Sequence, residues 1–153
     1  MKRKVNWDGI DTRGMDLRKM TISLKGLDMS NLDMSRVCLD GVDLSDCDFS
    51  GCNLTGASMR GAKLDGASFI GAILARADLS NASLIDVSLE GANMSRSLCI
   101  NTDFTNANMN KVHIWHACLN QAVISNEHSL DNARGVDTAD LSYIQYAQKK
   151  YAV

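Results

Sequence analysis

From Leu24 to Ile124 every fifth residue is large and apolar, with Cys99 the one smaller member. The run of twenty-one positions passes through Met29, Met34, Leu39, Leu44, Phe49, Leu54 and so on without a missed beat. Two residues before each of these centres lies a second apolar or small residue, as in Leu27, Val37, Cys47, Ala57, Ala77 and Ala117. The residue between the two is mostly polar, often Asp or Asn. Ser or Thr often follows the centre, and Gly, Asn or Asp often closes the unit, as at Gly51, Gly56, Gly61, Gly66 and Gly71. A period of five matches neither the 3.6 of a helix nor the 2 of a flat strand. It marks a repeat architecture. Apolar residues two apart point to one side of an extended segment, and a turn-prone residue then bends the chain.

The units Ala77-Asp78-Leu79-Ser80-Asn81 and Ala92-Asn93-Met94-Ser95-Arg96 resemble the A-(D/N)-L-X-X motif of the pentapeptide-repeat family. That resemblance implies an all-β solenoid, a right-handed quadrilateral parallel β-helix with twenty residues per coil. Coils then stack at about the interstrand spacing of ~4.8 Å. Centres four units apart share a column, so Phe49 and Phe69 are expected to stack. The chain has no proline, in keeping with coils paired on both edges.

The beat fails at two places. Val5/Trp7, Ile10/Thr12, Met15/Leu17 and Met20/Ile22 alternate in a first register over 5–22, and two extra residues are expected as a bulge or small loop at 23–26. The main β-helix then occupies 27–126 and a loose final turn 127–138. Asp137-Thr138 reads as a cap for a C-terminal helix over 139–151. Leu141, Tyr143, Ile144 and Tyr151 on that helix are expected to cap the open end or to form a homodimer contact, since gyrase-protecting members of the family dimerise through their C-terminal ends. The whole is a single domain.

Charge adds a gradient. The net charge of −2 divides into +4 over residues 1–26, −5 over 27–126 and −1 over 127–153. The mildly acidic body does not suggest direct nucleic-acid binding. No apolar run is long enough to span a membrane. Five cysteines without CxxC spacing suit a reducing compartment, so a bacterial cytoplasm is the expected location.

Chemistry is sparse. The glycines recur at the repeat period rather than forming a phosphate loop, and the histidines all lie near one end, so no enzyme, metal or cofactor is expected. Outward residues carry whatever function exists. Asp28, Asp33, Asp40, Asp43, Asp46 and Asp48 form an acidic stretch. Ile73, Leu98 and Ile100 are apolar where polar residues belong. His113, Trp115 and His116 form a partner-binding cluster, with Trp115 as an aromatic anchor. The leading expectation is a non-enzymatic scaffold that binds a protein through its β-helix faces. The alternatives from the family are a DNA mimic that binds DNA gyrase in quinolone protection and, less favoured, a secreted bacterial effector.

Overall fold

The computed structural model describes residues 3–147. The chain winds into coils that pair in parallel, residue i bridging residue i+20 from Asp28↔Asp48 to Leu98↔Cys118. Four ladders result. One runs Asp28, Asp48, Ser68, Ser88, Asn108, and the next Asp33, Asn53, Ile73, Asn93, His113. The third runs Cys38, Ser58, Asp78, Leu98, Cys118, and the fourth Asp43, Lys63, Ser83, Asp103, Val123. Most sides contribute a single bridge. The longer pairings are β1 (Arg3–Lys4) with β2 (Leu27–Asp28), and β3 (Asp103–Phe104) with β4 (Val123–Ile124) and β5 (Gln145–Tyr146).

Every centre from Leu24 to Ile124 is buried, and so are most of the residues two before them. Phe49 and Phe69, both fully buried, stack with ring centroids 4.9 Å apart and planes within 9°. Inward polar side chains find backbone partners: the Cys47 and Cys52 thiols donate to Leu24 O and Met29 O, and the Thr102 hydroxyl to Leu79 O.

Each unit ends in a tight turn. The N–H three residues after a centre donates to that centre's carbonyl, as Ala57 to Leu54 at 3.0 Å. The residue two after the centre takes a positive φ at every fifth place from Gly26 to Gln121. Glycine meets that demand without steric cost, yet Arg36, Arg76, Arg96, Lys111 and His116 also occupy it.

The polar residue before each centre has a structural task. The carboxylates of Asp28, Asp33 and Asp43 accept the N–H of Ser30, Ser35 and Ser45, closing the turn from outside; Asn53 and Asn93 do the same. The Ser30 and Ser45 hydroxyls also donate to Asp28 and Asp43, and these hydroxyl bonds first, with the N–H bonds, hold those carboxyls below the ordinary carboxylate range, while at Asp33 the Ser35 N–H leads. A lowered folded pKa supplies stability above the unfolded value of about 3.9, lost as pH falls through the lowered values. The urea midpoint is therefore expected to hold from pH 7 to about pH 5 and to drop below about pH 4. The triple variant D28N/D33N/D43N keeps the turn bonds, and a shallower acid drop in its midpoint is the expected result.

At the N-terminal end the pairing offset grows. Asp16 bridges Cys38 and Arg3 bridges Leu27, offsets of 22 and 24 instead of 20. The first excess of two lies across residues 18–23, ahead of the 23–26 anticipated from the sequence. There a 3-10 turn, Leu17–Lys19, is capped by Asp16, which also binds the Arg18 guanidinium. Ile22, anticipated inside, is 47% exposed. The second excess lies in 6–11 and moves Val5, not Trp7, over Met29.

At the C-terminal end residues 139–146 of the anticipated helix are not helical, and only Ala147, the last described residue, is in a 3-10 turn. The segment winds as one more coil. Asp140 bridges Cys118, and β5 pairs with β4. The physical reason is the open ladder edge. The carbonyls of Val112, Ala117 and Ala122 accept the N–H groups of Arg134, Asp140 and Gln145 at 2.8–2.9 Å, partners that a self-bonded helix would not supply. Ala139-Asp140-Leu141-Ser142 is a further repeat unit in a shifted register. Its motif was legible, but Leu141, Ile144 and Ala147 also fit a helical face. Tyr151 lies outside the described residues.

Candidate interaction faces

The six aspartates of the acidic stretch do not form one face. Asp28 and Asp48 are neighbours on the first ladder, Asp33 is on the second, and Asp43 is on the fourth. Most meet a cation. Asp28 pairs with Lys4 at 3.3 Å, Asp40 with Arg60 at 2.9 Å, and Asp46 with Lys25 at 4.0 Å. Asp43 stacks beside Lys63. Beside Asp33, Arg13 forks onto Asp11 and draws its carboxyl down to about 2.

The outward apolar residues are likewise distributed. Ile73 (43% exposed) sits between Asn53 and Asn93 on the second ladder, and Leu98 (44%) between Asp78 and Cys118 on the third. Ile100 follows Cys99 at a turn and is half-buried. None bridges another.

His113 and Trp115 lie on the side of the second ladder, with His116 at its closing corner. His113 bridges Asn93 and Arg134. The His116 N–H donates to the Thr138 hydroxyl at 3.1 Å. Trp115 is 44% exposed, and its indole lies against Gly135 of the last coil. Among the described residues no group of His, Cys, Asp or Glu could hold a metal ion. Burial pushes the Cys52 and Cys99 thiols up to about 11 and about 12, so neither is an activated nucleophile. No helix among the described residues is long and apolar enough to cross a membrane.

Leu141, Ile144 and Tyr146 of the last coil are only partly buried, and with Ile124, Leu130 and Val136 they line a cavity of about 490 Å³, with Glu127 and Asp131 also in its wall. Of the four residues anticipated to cap or dimerise, Leu141 and Ile144 face this space. Tyr143 stands at a corner with positive φ, 78% exposed.

One arrangement escaped the sequence reading. Arg36, Gly56, Arg76, Arg96 and His116 are successive residues of a single corner row. The signal was their spacing in multiples of twenty, hidden behind the shorter period.

Among solved structures the chain is similar to HetL, a pentapeptide repeat protein involved in heterocyst differentiation regulation from Nostoc sp. Strain PCC 7120, at 24% identity and a TM-score of 0.49. It covers 80% of this chain and 60% of HetL. A pentapeptide repeat protein of the Arabidopsis thaliana thylakoid lumen is 29% identical over 72% of this chain and 66% of that one, at a TM-score of 0.41. QnrB1, a plasmid-mediated fluoroquinolone resistance protein, is 14% identical over 96% of this chain and 88% of its own, at 0.45. No curated protein sequence matches the chain. The assignment rests on the repeats themselves: the family model described as pentapeptide repeats (8 copies) matches residues 33–69, 62–98 and 88–126. Matched over more than half its length, and with its coils bridged at intervals of four such units, the chain belongs to the pentapeptide-repeat family.

Proposed function

We propose that this protein is a non-enzymatic scaffold that binds a protein partner through the sides of a right-handed quadrilateral β-helix. The observation that carries this reading is the exposure of large apolar side chains on a hydrogen-bonded frame. Ile73, Leu98 and Trp115 are each 43–44% exposed on sides whose coils are bridged above and below. A bridged frame holds such anchors in place before a partner arrives, which reduces the entropic cost of binding. Among the described residues the five cysteines form no disulfide, which suits a bacterial cytoplasm. A homodimer would use the C-terminal end, where Leu141 and Ile144 line a cavity.

The test is affinity capture from the native host followed by mass spectrometry, with Ile73→Asp, Leu98→Asp and Trp115→Ala in parallel. One partner held by the parent protein and lost in at least one variant is the expected outcome. Equal capture by all four proteins would sink the reading.

The second reading, a DNA mimic acting on gyrase, draws support from the Asp28–Asp48 pair on the first ladder. The dispersal of the other aspartates over separate ladders and their cation partners weighs against it. Unchanged supercoiling by purified gyrase at micromolar protein, with and without a quinolone, would remove it.

A further inference from the structure

The side of the solenoid built on the Asp33 ladder differs in charge from the rest of the molecule. Its closing corner carries Arg36, Arg76, Arg96 and His116, and its outward residues include Ile73 on the ladder and Trp115 in the row after the centres. Arg134 continues the ladder above His113, and Lys111 stands at the opposite corner. The carboxylates on this side are Asp33 at the first full coil, Asp11 below it, which Arg13 pairs, and Asp137 beside the His116 corner. With Arg13 counted, six cations against three acids give it +3, in a protein whose net charge is −2.

Three arginines off this corner row are paired. Arg13, Arg18 and Arg60 each fork onto an aspartate. Arg36, Arg76 and Arg96 are exposed, and among the described residues none forms a salt bridge. Each holds a φ of 59–60°, a conformation that costs a non-glycine residue energy. Gly56, in the same row, meets the demand without that cost. The Arg36 side chain runs along the row, its Cγ 3.8 Å from where a Cβ on Gly56 would stand. Nearby acids leave the row free: Asp78 is on the next ladder, and Glu90, before the opposite corner, meets Asn108.

We propose that this side is the docking face of the scaffold, and that its occupant is an acidic protein segment carrying apolar residues. Carboxylates would take the guanidinium forks of Arg76 and Arg96, a geometry that arginine is shaped for. Ile73 and Trp115 would take the apolar side chains, since Trp and Arg are the residues that dominate interfaces. A single-stranded nucleic acid fits less well. Such sites stack successive bases on several aromatics, and this side offers one tryptophan and an exposed isoleucine. The proposal rests on the scaffold reading and names the side and the charge of the partner.

The experiment uses fluorescence anisotropy with the full chain. The probes are a labelled twelve-residue peptide of Asp, Glu, Leu and Phe, its Lys-substituted twin, and a labelled dT12 oligonucleotide. The key variant is R76G/R96G, which replaces strained corners by the residue that Gly56 already places there, so the thermal midpoint should hold or rise. The control K19S/K63S removes the same charge elsewhere. The acidic peptide is expected to bind the parent, at least ~10-fold more weakly to R76G/R96G, and within ~2-fold of the parent to the control. Equal binding of the twin, no binding of the acidic peptide, or full binding by R76G/R96G overturns the proposal. Tighter binding of dT12 overturns it in favour of nucleic acid. If R76G/R96G still captures the host partner that Ile73→Asp or Leu98→Asp loses, the charge assignment falls and the scaffold reading stands.

Discussion

Phe69→Ala is expected to lower the unfolding free energy by about 3–5 kcal/mol, the range for emptying a fully buried aromatic site. Phe69 has no exposed surface and lies parallel to Phe49 at 4.9 Å. Its removal loses transfer energy, leaves a cavity, and forfeits the ring contact, itself worth roughly 0.5–1.5 kcal/mol. Neighbouring coils cannot collapse into the space without breaking ladder bonds such as Ser68 N–H to Cys47 O at 2.9 Å. Phe69→Leu puts in that column the residue already found one coil on, at Leu89, and is expected to cost under about 1.5 kcal/mol. Urea denaturation at constant m-value is the measurement. Equal midpoints for the two variants would mean that the column is not packed as described.

Gly135→Ala is the second large effect, expected at about 2–4 kcal/mol. The φ of Gly135 is +83°, and a Cβ there would stand 2.6 Å from Trp115 Cδ2, 2.7 Å from its backbone N and 2.8 Å from its Cα. An indole could swing aside, but the backbone could not, so the last coil must shift. Gly61 gives the contrast. It also has positive φ, yet a Cβ there meets nothing within 4 Å. Gly61→Ala is therefore expected to cost only the left-handed conformation, about 1–2 kcal/mol. In a Trp7→Phe background, Gly135→Ala should also shift Trp115 emission as the ring leaves its neighbour. An unchanged spectrum and a cost equal to that of Gly61→Ala would refute the contact.

The centres from Leu24 to Ile124 were legible because the direction of a side chain follows from the local backbone, and each unit repeats the same local geometry. The aspartates were legible as polar positions but misleading as a site. Six close neighbours in sequence read as an acidic patch, whereas each turn rotates the next unit onto another side. The arginine row had the opposite fault. Arg36, Arg76 and Arg96 are far apart in the chain, and only the twenty-residue coil brings them into line. At the C-terminus, Ala139-Asp140-Leu141-Ser142 carried a repeat signal that a helical face of Leu141 and Ile144 obscured.

By itself the sequence determined the repeat unit, the inside and outside of nearly every residue in it, and the turn that ends it. Those are short-range matters, settled by side-chain alternation and by the chemistry of Asp, Ser and Gly within five residues. Tertiary structure decided what depends on contacts between coils. Pairing at i+20 sets which outward residues share a side, so it dispersed the aspartates and aligned the arginines. Unpaired carbonyls on the last regular coil decided that residues 139–146 extend the ladder, because a backbone edge is satisfied by the strand laid against it. The same dependence moved the two-residue excess ahead of Ser23, where the turn beginning at Leu17 could take it up without breaking a bridge.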